Sequence, residues 1–154
     1  MFDQPAESTS VERLGLVLIR FEDAADAAAS VQCGVAGVYV SNHGGRVLDH
    51  SVSTIEVLAD VVDAVGPDVD VVIDGGFTRG AEVCKALALG ASAVGIGKLL
   101  CWGLAVGGSE GVVRVLKILR DEITITMANI GARTVQDITP NHVTWSARAW
   151  PDRA

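Results

Sequence analysis

The sequence predicts an α/β protein of about four βα units, half the number found in an eight-stranded parallel barrel. Short apolar runs of strand length alternate with longer stretches of helical periodicity along most of the chain. A complete (β/α)₈ barrel needs about 250 residues, whereas this chain has 154. Half a barrel is therefore expected, and a small open doubly wound sheet is the alternative that the same alternation allows.

The predicted units extend from residue 14 to residue 138, between an N-terminal segment (1–13) and a tail (139–154). Strands are expected at 14–19, 37–40, 69–73 and 93–96, and helices at 22–33, 53–65 and 79–89. A further helix has an apolar face formed by Val112, Leu116, Leu119, Ile123, Met127 and Ile130. Ser53 and Glu56 have capping-box spacing, and Gly34, Gly66 and Gly90 follow helices, as helix-ending glycines do.

Composition excludes several classes of protein. The net charge is −7 and no basic run occurs, which argues against nucleic-acid binding. Cys33, Cys84 and Cys101 lack metal-ligand spacing, so reduced, buried thiols in a cytoplasmic protein without a metal site are expected. The most apolar stretch, 93–108, is short and contains Lys98, so no membrane span is predicted. Residues 1–12 include acidic positions and do not resemble a signal peptide.

Three glycine-marked loops, 41–46, 74–76 and 95–98, each follow a predicted strand. In a parallel barrel the loops after strands share one face, where active sites lie. The first loop contains His43, suited to accepting a proton near neutral pH, and Arg46, suited to holding a carboxylate. His50 and His142 lack such a setting and are interpreted as structural.

The second and third loops have the features of a phosphate-binding site. Gly75, Gly76 and Gly97 lie in turns that lead into helices, where free N–H groups and the helix dipole attract an anion. Lys98 adds a positive charge, and Asp74 can accept a hydrogen bond from a ligand hydroxyl.

These motifs resemble those of the FMN-dependent α-hydroxy-acid dehydrogenases and oxidases, which include glycolate oxidase, lactate oxidase and mandelate dehydrogenase. The resemblance is carried by Ser-Asn-His-Gly-Gly-Arg-Val-Leu-Asp at 41–49, Asp-Gly-Gly at 74–76, Lys-Ala-Leu-Ala-Leu-Gly-Ala at 85–91 and Trp-Gly-Leu-Ala at 102–105. It extends from about residue 14 to about residue 141 and corresponds to the C-terminal half of the family's TIM barrel.

The resemblance implies FMN-dependent oxidation of a small L-2-hydroxy acid such as lactate or glycolate. His43 matches the catalytic base and Arg46 matches the group that binds the substrate carboxylate. The FMN contacts implied by the same resemblance are Ser41, Asp74, Gly75, Gly76, Thr78, Arg79, Gly97 and Lys98.

The sequence also departs from the family pattern. Ile19 occupies the position of the lysine that lies beside the flavin, with Arg20 next to it, while Thr78 and Lys98 replace arginines. The first half of the barrel has no counterpart in 1–13, so pairing with a second copy or with a complementary half-barrel is expected. Two other functions remain open at this point: an inactive remnant that at most binds FMN phosphate or pairs with another chain, and a different phosphate-binding barrel.

Overall fold

The computed structural model describes residues 16–19, 24–46 and 48–144, with the backbone alone for 16–19. The strands are β1 (Leu16–Ile19), β2 (Gly37–Val40), β3 (Asp70–Ile73) and β4 (Ala93–Val94). The helices are α1 (Ala24–Gln32), α2 (Thr54–Val65), α3 (Gly80–Ala88) and α4 (Lys98–Ile130), with 3₁₀ turns at His43–Gly45, Val135–Asp137 and Pro140–His142. The predicted segment 1–13, strand residues 14–15, Arg20, helix residues 22–23 and the tail beyond Thr144 lie outside the described residues.

The four strands form one parallel sheet in the order β1-β2-β3-β4. Ile19, Val40, Ile73 and Val94 lie in one row across this sheet, so the loops after the strands leave from the same edge. Doubly wound sheets reverse their strand order at a switch point, and this sheet does not. The order is that of a segment of a barrel, as the sequence predicts.

The main core lies between the sheet and the helices that connect its strands. Val38, Val40, Ile73, Leu58 and Val61 are fully buried, the first three on strands and the last two on α2. Helix α2 begins and ends where the sequence predicts. The Ser53 N–H donates to the Glu56 carboxylate at 3.3 Å, and Gly66 ends the helix with a φ of 78°. The amphipathic pattern of α2 therefore fixes how it packs on the sheet.

Strand β4 is shorter than predicted because the chain leaves the sheet at Gly95. A Cβ atom there would collide with the Tyr39 hydroxyl. Gly95 keeps a single backbone bond to β3, in which its N–H donates to the Ile73 carbonyl at 2.7 Å. The predicted strand residues 95–96 thus become the start of a loop that carries Gly97.

Helix α4 is interrupted near its first third. Gly107 and Gly108 leave the helical conformation, which divides α4 into residues 98–106 and 109–130. The two parts fold against each other where Gly103 meets Gly111: a Cβ atom on Gly103 would lie 2.9 Å from the Gly111 carbonyl oxygen. In the second part Leu119 is buried, and Ile123, Met127 and Ile130 pack against α3, whereas Leu116 of the predicted apolar face is half exposed.

Among the described helices, α4 is long and apolar enough to cross a membrane. Length and composition alone make it a candidate. The interior break at Gly107 and Gly108 leaves a first part, 98–106, that is too short to span a membrane, and a second part, 109–130, that carries six charged residues. The expected absence of a membrane span stays a prediction.

The three cysteines are unpaired, as expected, but only Cys84 is buried. Cys84 lies between α3 and α4, and burial raises the pKa of its thiol. The expectation of burial is wrong for Cys33, which follows the last turn of α1, and for Cys101, which lies near the start of α4. Both helix ends leave the thiol in contact with solvent.

Candidate active site

The loop after β2 is a tight turn held by its own polar groups. The buried Ser41 hydroxyl accepts the His43 N–H at 3.1 Å, and the Asn42 side chain accepts the Gly44 N–H at 3.0 Å. His43 adopts a φ of 54°, a left-handed conformation that costs a non-glycine residue about 1 kcal/mol. The turn therefore stabilises a strained backbone that leaves the His43 imidazole exposed. Strain of this kind is common at functional sites.

A cavity of about 340 Å³ opens at the carboxyl ends of β2, β3 and β4. It gathers the three loops that the sequence singles out. The residues that line it are His43, Gly44, Arg46, Asp74, Gly75, Gly76, Gly97, Lys98, Cys101 and Trp102. The predicted convergence of the three loops is therefore present in the structure.

A larger cavity of about 490 Å³ lies elsewhere, among α2, α3, α4 and residues 142–144. Its walls are mostly apolar and include Cys84, Leu89 and Ile130. We take the smaller cavity as the site because it lies at the strand ends and contains a histidine, an arginine and a lysine.

Lys98 links the first and third loops. It is the first residue of α4, and its Nζ atom lies 3.5 Å from the Gly44 carbonyl oxygen, which makes a long hydrogen bond. Its position adds a full positive charge to the positive end of the helix dipole. A Cβ atom built on Gly97, just before it, would meet no atom within 4 Å, so the backbone there is open to a ligand. This corner of the cavity is suited to an anion.

Asp74 has one side-chain oxygen that is buried and lacks a hydrogen-bond partner among the described residues, Oδ1. Its backbone is fixed on both sides: the N–H donates to the Val40 carbonyl at 3.0 Å, and the carbonyl accepts the Thr54 hydroxyl at 2.5 Å. Burial and then the Asp74 charge raise the pKa of the nearby Tyr39 phenol. A buried carboxylate oxygen without a donor is costly, and a ligand hydroxyl would satisfy it.

Thr78 and Arg79 do not line the cavity; their donors point to carboxylates on α3 and α4. The Glu82 carboxylate accepts the N–H groups of Thr78 at 2.7 Å and of Arg79 at 2.9 Å. Glu122 accepts the Arg79 guanidinium at 2.9 Å and the Gly80 N–H at 2.7 Å. Hydrogen bonding between the two side chains raises the pKa of Arg79 and lowers that of Glu122. Two carboxylates thus occupy the N-terminus of α3, where the sequence predicts a phosphate.

The predicted cofactor residues therefore divide into two groups. Asp74, Gly75, Gly76, Gly97 and Lys98 line the cavity, and Ser41, Thr78 and Arg79 do not. Sequence reasoning missed Cys101 and Trp102, although their spacing of three and four residues from Lys98 puts all three on one helix face. The roles of these residues toward a cofactor remain proposals.

His50 and His142 do not line this cavity, and their structural interpretation stays a prediction. His50 is 94% exposed and contacts Asp49 at 3.7 Å. The His142 Nδ1 atom accepts the Thr139 N–H at 3.0 Å in a 3₁₀ turn. The described residues contain no cluster of three or more histidine, cysteine, aspartate or glutamate side chains that could hold a metal ion.

A parallel βα sheet with a lysine and a histidine at its carboxyl edge is typical of barrel proteins that act on ligands bound at this face. The chain belongs to the FMN-dependent dehydrogenase family, whose model matches residues 15–145. This confirms the resemblance that the motifs indicate. FMN is the cofactor of the family.

Similar proteins include a peroxisomal (S)-2-hydroxyacid oxidase from Arabidopsis thaliana, 52% identical over 118 residues that cover 77% of this chain and 32% of that protein. An L-lactate oxidase from Roseobacter sp. is also 52% identical, over 78% of this chain and 32% of the relative. The crystal structure of the monotopic membrane protein (S)-mandelate dehydrogenase superposes with a TM-score of 0.79 at 43% identity, covering 84% of this chain and 34% of the other. The chain thus spans about a third of the length of these relatives.

The cavity fits FMN in its polar groups. Asp74 Oδ1 is a buried acceptor without a donor among the described residues, so it can accept a hydrogen bond from a ribityl hydroxyl. Gly75 and Gly76 adopt φ values of 110° and 100°, and a Cβ atom on Gly75 would come within 2.6 Å of the Thr54 hydroxyl, so only glycine fits there. Lys98 supplies a cation for a phosphate, as a point charge rather than a bidentate fork.

Proposed function

We propose that this chain supplies the proton-accepting and carboxylate-binding side of an enzyme that oxidises a small L-2-hydroxy acid, of the lactate or glycolate type, to the 2-oxo acid with FMN. The observation that carries the proposal is the single cavity lined by His43, Arg46 and Lys98. The names of the relatives, which include 2-hydroxyacid and lactate oxidases, support the substrate class.

His43 and Arg46 contact different groups of the substrate. The Arg46 guanidinium binds the carboxylate through its planar pair of donors, which fixes the position of the α-carbon. The His43 imidazole then accepts the proton of the α-hydroxyl group. The turn that holds His43 in a left-handed conformation presents its ring to the substrate without a further rearrangement.

Asp74, Gly75, Gly76, Gly97 and Lys98 are the residues that would hold the cofactor. Asp74 binds the ribityl chain, and Lys98 with the first N–H groups of α4 binds the phosphate. When bound there, FMN supplies the acceptor for the hydride that leaves the α-carbon. Ser41 acts indirectly in this scheme, because its hydroxyl is bonded to the His43 N–H.

A complete barrel is part of the proposal. Strands β1 and β4 are the two edges of the described sheet, and an open parallel sheet exposes unpaired backbone groups at such edges. We propose that a second copy or a complementary half-barrel pairs with these edges and completes the substrate pocket. We also propose a cytoplasmic location, which the unpaired cysteines support.

The test adds L-lactate or glycolate under anaerobic conditions to the chain with FMN bound. Loss of visible absorbance then measures the rate at which the FMN is reduced. His43→Gln should lower the rate of bleaching by about 10²- to 10⁴-fold, the contribution typical of a general base. His50→Gln is the matched control, because His50 is exposed and lies outside the cavity, and its rate should equal that of the unsubstituted chain. Equal rates for His43→Gln and the control would refute the assignment of the base.

The alternative is an inactive chain that binds FMN phosphate or pairs with another chain. The ion pair between Arg79 and Glu122 favours this alternative, because the Arg79 guanidinium is then not available to bind a phosphate. FMN that binds tightly but is not bleached by any 2-hydroxy acid, with or without a complementary half-barrel, would support this alternative and contradict the enzyme.

A further inference from the structure

We propose that Trp102 is an aromatic wall of the cavity and contacts the ring system of the bound cofactor, while Lys98 one helical turn earlier holds the phosphate. This inference rests on the proposed binding of FMN. It adds to that proposal a role for Trp102 in determining which ligands the cavity accepts. Those ligands have both a phosphate and a flat ring.

The placement of Trp102 follows from the helix. Cys101 and Trp102 lie three and four residues after Lys98, so all three share one face of α4. All three also line the cavity. Among the described residues that line it, Trp102 is the one aromatic residue, and 56% of its surface is exposed. An indole of this exposure has an apolar face available to a ligand.

The backbone that carries Trp102 is fixed by packing. The next residue, Gly103, is buried, and a Cβ atom on it would lie 2.8 Å from Val115 Cγ2 and 2.9 Å from the Gly111 carbonyl oxygen. The first part of α4 is therefore held against the second part without space for a side chain. Because this contact forms within α4 itself, the backbone that carries Trp102 is in place before a ligand binds, and only the side chain has to be ordered on binding.

The chemistry favours a ligand that uses both residues. A flat heteroaromatic ring stacks on an indole face in an offset geometry, and the Lys98 charge attracts a phosphate. Inorganic phosphate engages Lys98 alone, riboflavin engages Trp102 alone, and FMN engages both. The three ligands therefore separate the two contributions.

The experiment measures binding of FMN, riboflavin and inorganic phosphate to the full 154-residue chain by equilibrium dialysis. Trp102→Ala should weaken FMN and riboflavin about tenfold, the typical loss of one aromatic stacking contact, and should leave phosphate binding unchanged. Trp102→Phe keeps a ring and should weaken FMN binding less than Trp102→Ala does. Leu104→Ala is the matched control, since Leu104 is 57% exposed on the same helix outside the cavity.

A spectroscopic measurement reports the contact directly. Stacking of an indole on the flavin should give bound FMN a long-wavelength absorption shoulder, which Trp102→Ala abolishes and Leu104→Ala preserves. If Trp102→Ala leaves both the FMN affinity and the spectrum unchanged, the proposed contact between Trp102 and the flavin is contradicted. The proposed function is not affected by that result. An equal loss of FMN and phosphate binding would also contradict the contact, since that result indicates a disturbed Lys98. If the unsubstituted chain binds phosphate but neither flavin, the proposed function and this inference both fail.

Discussion

Glu122 joins the N-terminus of α3 to α4. One carboxylate accepts the Arg79 guanidinium and the Gly80 N–H, both at distances below 3 Å. Gly80 is packed so closely against Glu122 and Ile123 that a side chain there would collide with the α4 backbone. The carboxylate is therefore a helix cap provided by a different helix, and it fixes how α3 and α4 pack.

The Glu122 contacts predict a pH dependence of stability. Hydrogen bonds from Arg79 and from Gly80 lower the pKa of Glu122 below its ordinary value of 4.5. A carboxyl group whose pKa is lower in the folded state stabilises the fold above its unfolded pKa and loses that effect as the pH falls through the folded pKa. The melting temperature of Glu122→Gln should therefore lie below that of the unsubstituted chain at pH 7, and the gap should narrow below about pH 4.5.

Glu110→Gln is the matched control for this measurement, since Glu110 is an exposed carboxylate on the same helix. Its melting temperature should follow that of the unsubstituted chain at every pH. Asp137, whose pKa is lowered by its bonds to Thr134, adds to the acid sensitivity of all three proteins equally. A gap for Glu122→Gln that stays constant from pH 7 to pH 3 would contradict the capping role.

At the residue scale the sequence indicates His43, Arg46, Asp74 and Lys98 because each follows a predicted strand. The placement of Arg79 could not be anticipated, because its partner Glu122 is 43 residues away along the chain. The family resemblance implies an FMN contact for Arg79, whereas the ion pair with Glu122 determines where its side chain lies. Long-range ion pairs of this kind leave no local pattern.

At the scale of elements, the strand order and most of the helix bounds follow from the alternation of apolar runs. The break in α4 does not, since glycines inside a helical pattern can be tolerated as readily as they can interrupt it. Gly103, Gly107, Gly108 and Gly111 act as a group here: the middle pair turns the chain and the outer pair lets the two parts touch. The turn at Gly107 and Gly108 can be recognised only once the contact between the two parts of α4 is known, and the sequence alone does not give that contact.

The crossing within α4 can be tested with two alanine substitutions. Gly111→Ala would drive a Cβ atom into the Gly103 carbonyl, so it should lower the free energy of unfolding by about 1–3 kcal/mol, the usual cost of overpacking. Gly107→Ala is the control: its φ of −146° suits any residue, and a Cβ atom there meets nothing within 4 Å. Urea titration followed by circular dichroism measures both. A Gly111→Ala protein as stable as the control would show that the two parts of α4 do not cross as described.

At the scale of the whole molecule, the described residues leave apolar surface on α4 and two sheet edges without a cover. Val113, Leu116, Ile118 and Ile125 are between 42% and 61% exposed. Ile118 and Ile125 are seven residues apart and therefore share one side of α4, and exposed apolar residues grouped in this way mark an interface. A sheet edge is a template for pairing with another strand. The chain on its own should therefore associate, and light scattering after size exclusion should give at least twice the monomer mass of 16.0 kDa.

Ile125→Lys tests whether the α4 surface drives this association. A lysine placed on a covered apolar face must be desolvated when the interface forms, so the substitution should shift the mass toward that of the monomer at equal concentration. Thr124→Lys introduces the same charge at an exposed polar position of the same helix and should leave the mass unchanged. If the unsubstituted chain is monomeric, association through α4 is contradicted. In that case a complementary half-barrel is the expected partner, and adding it should give a stoichiometric complex.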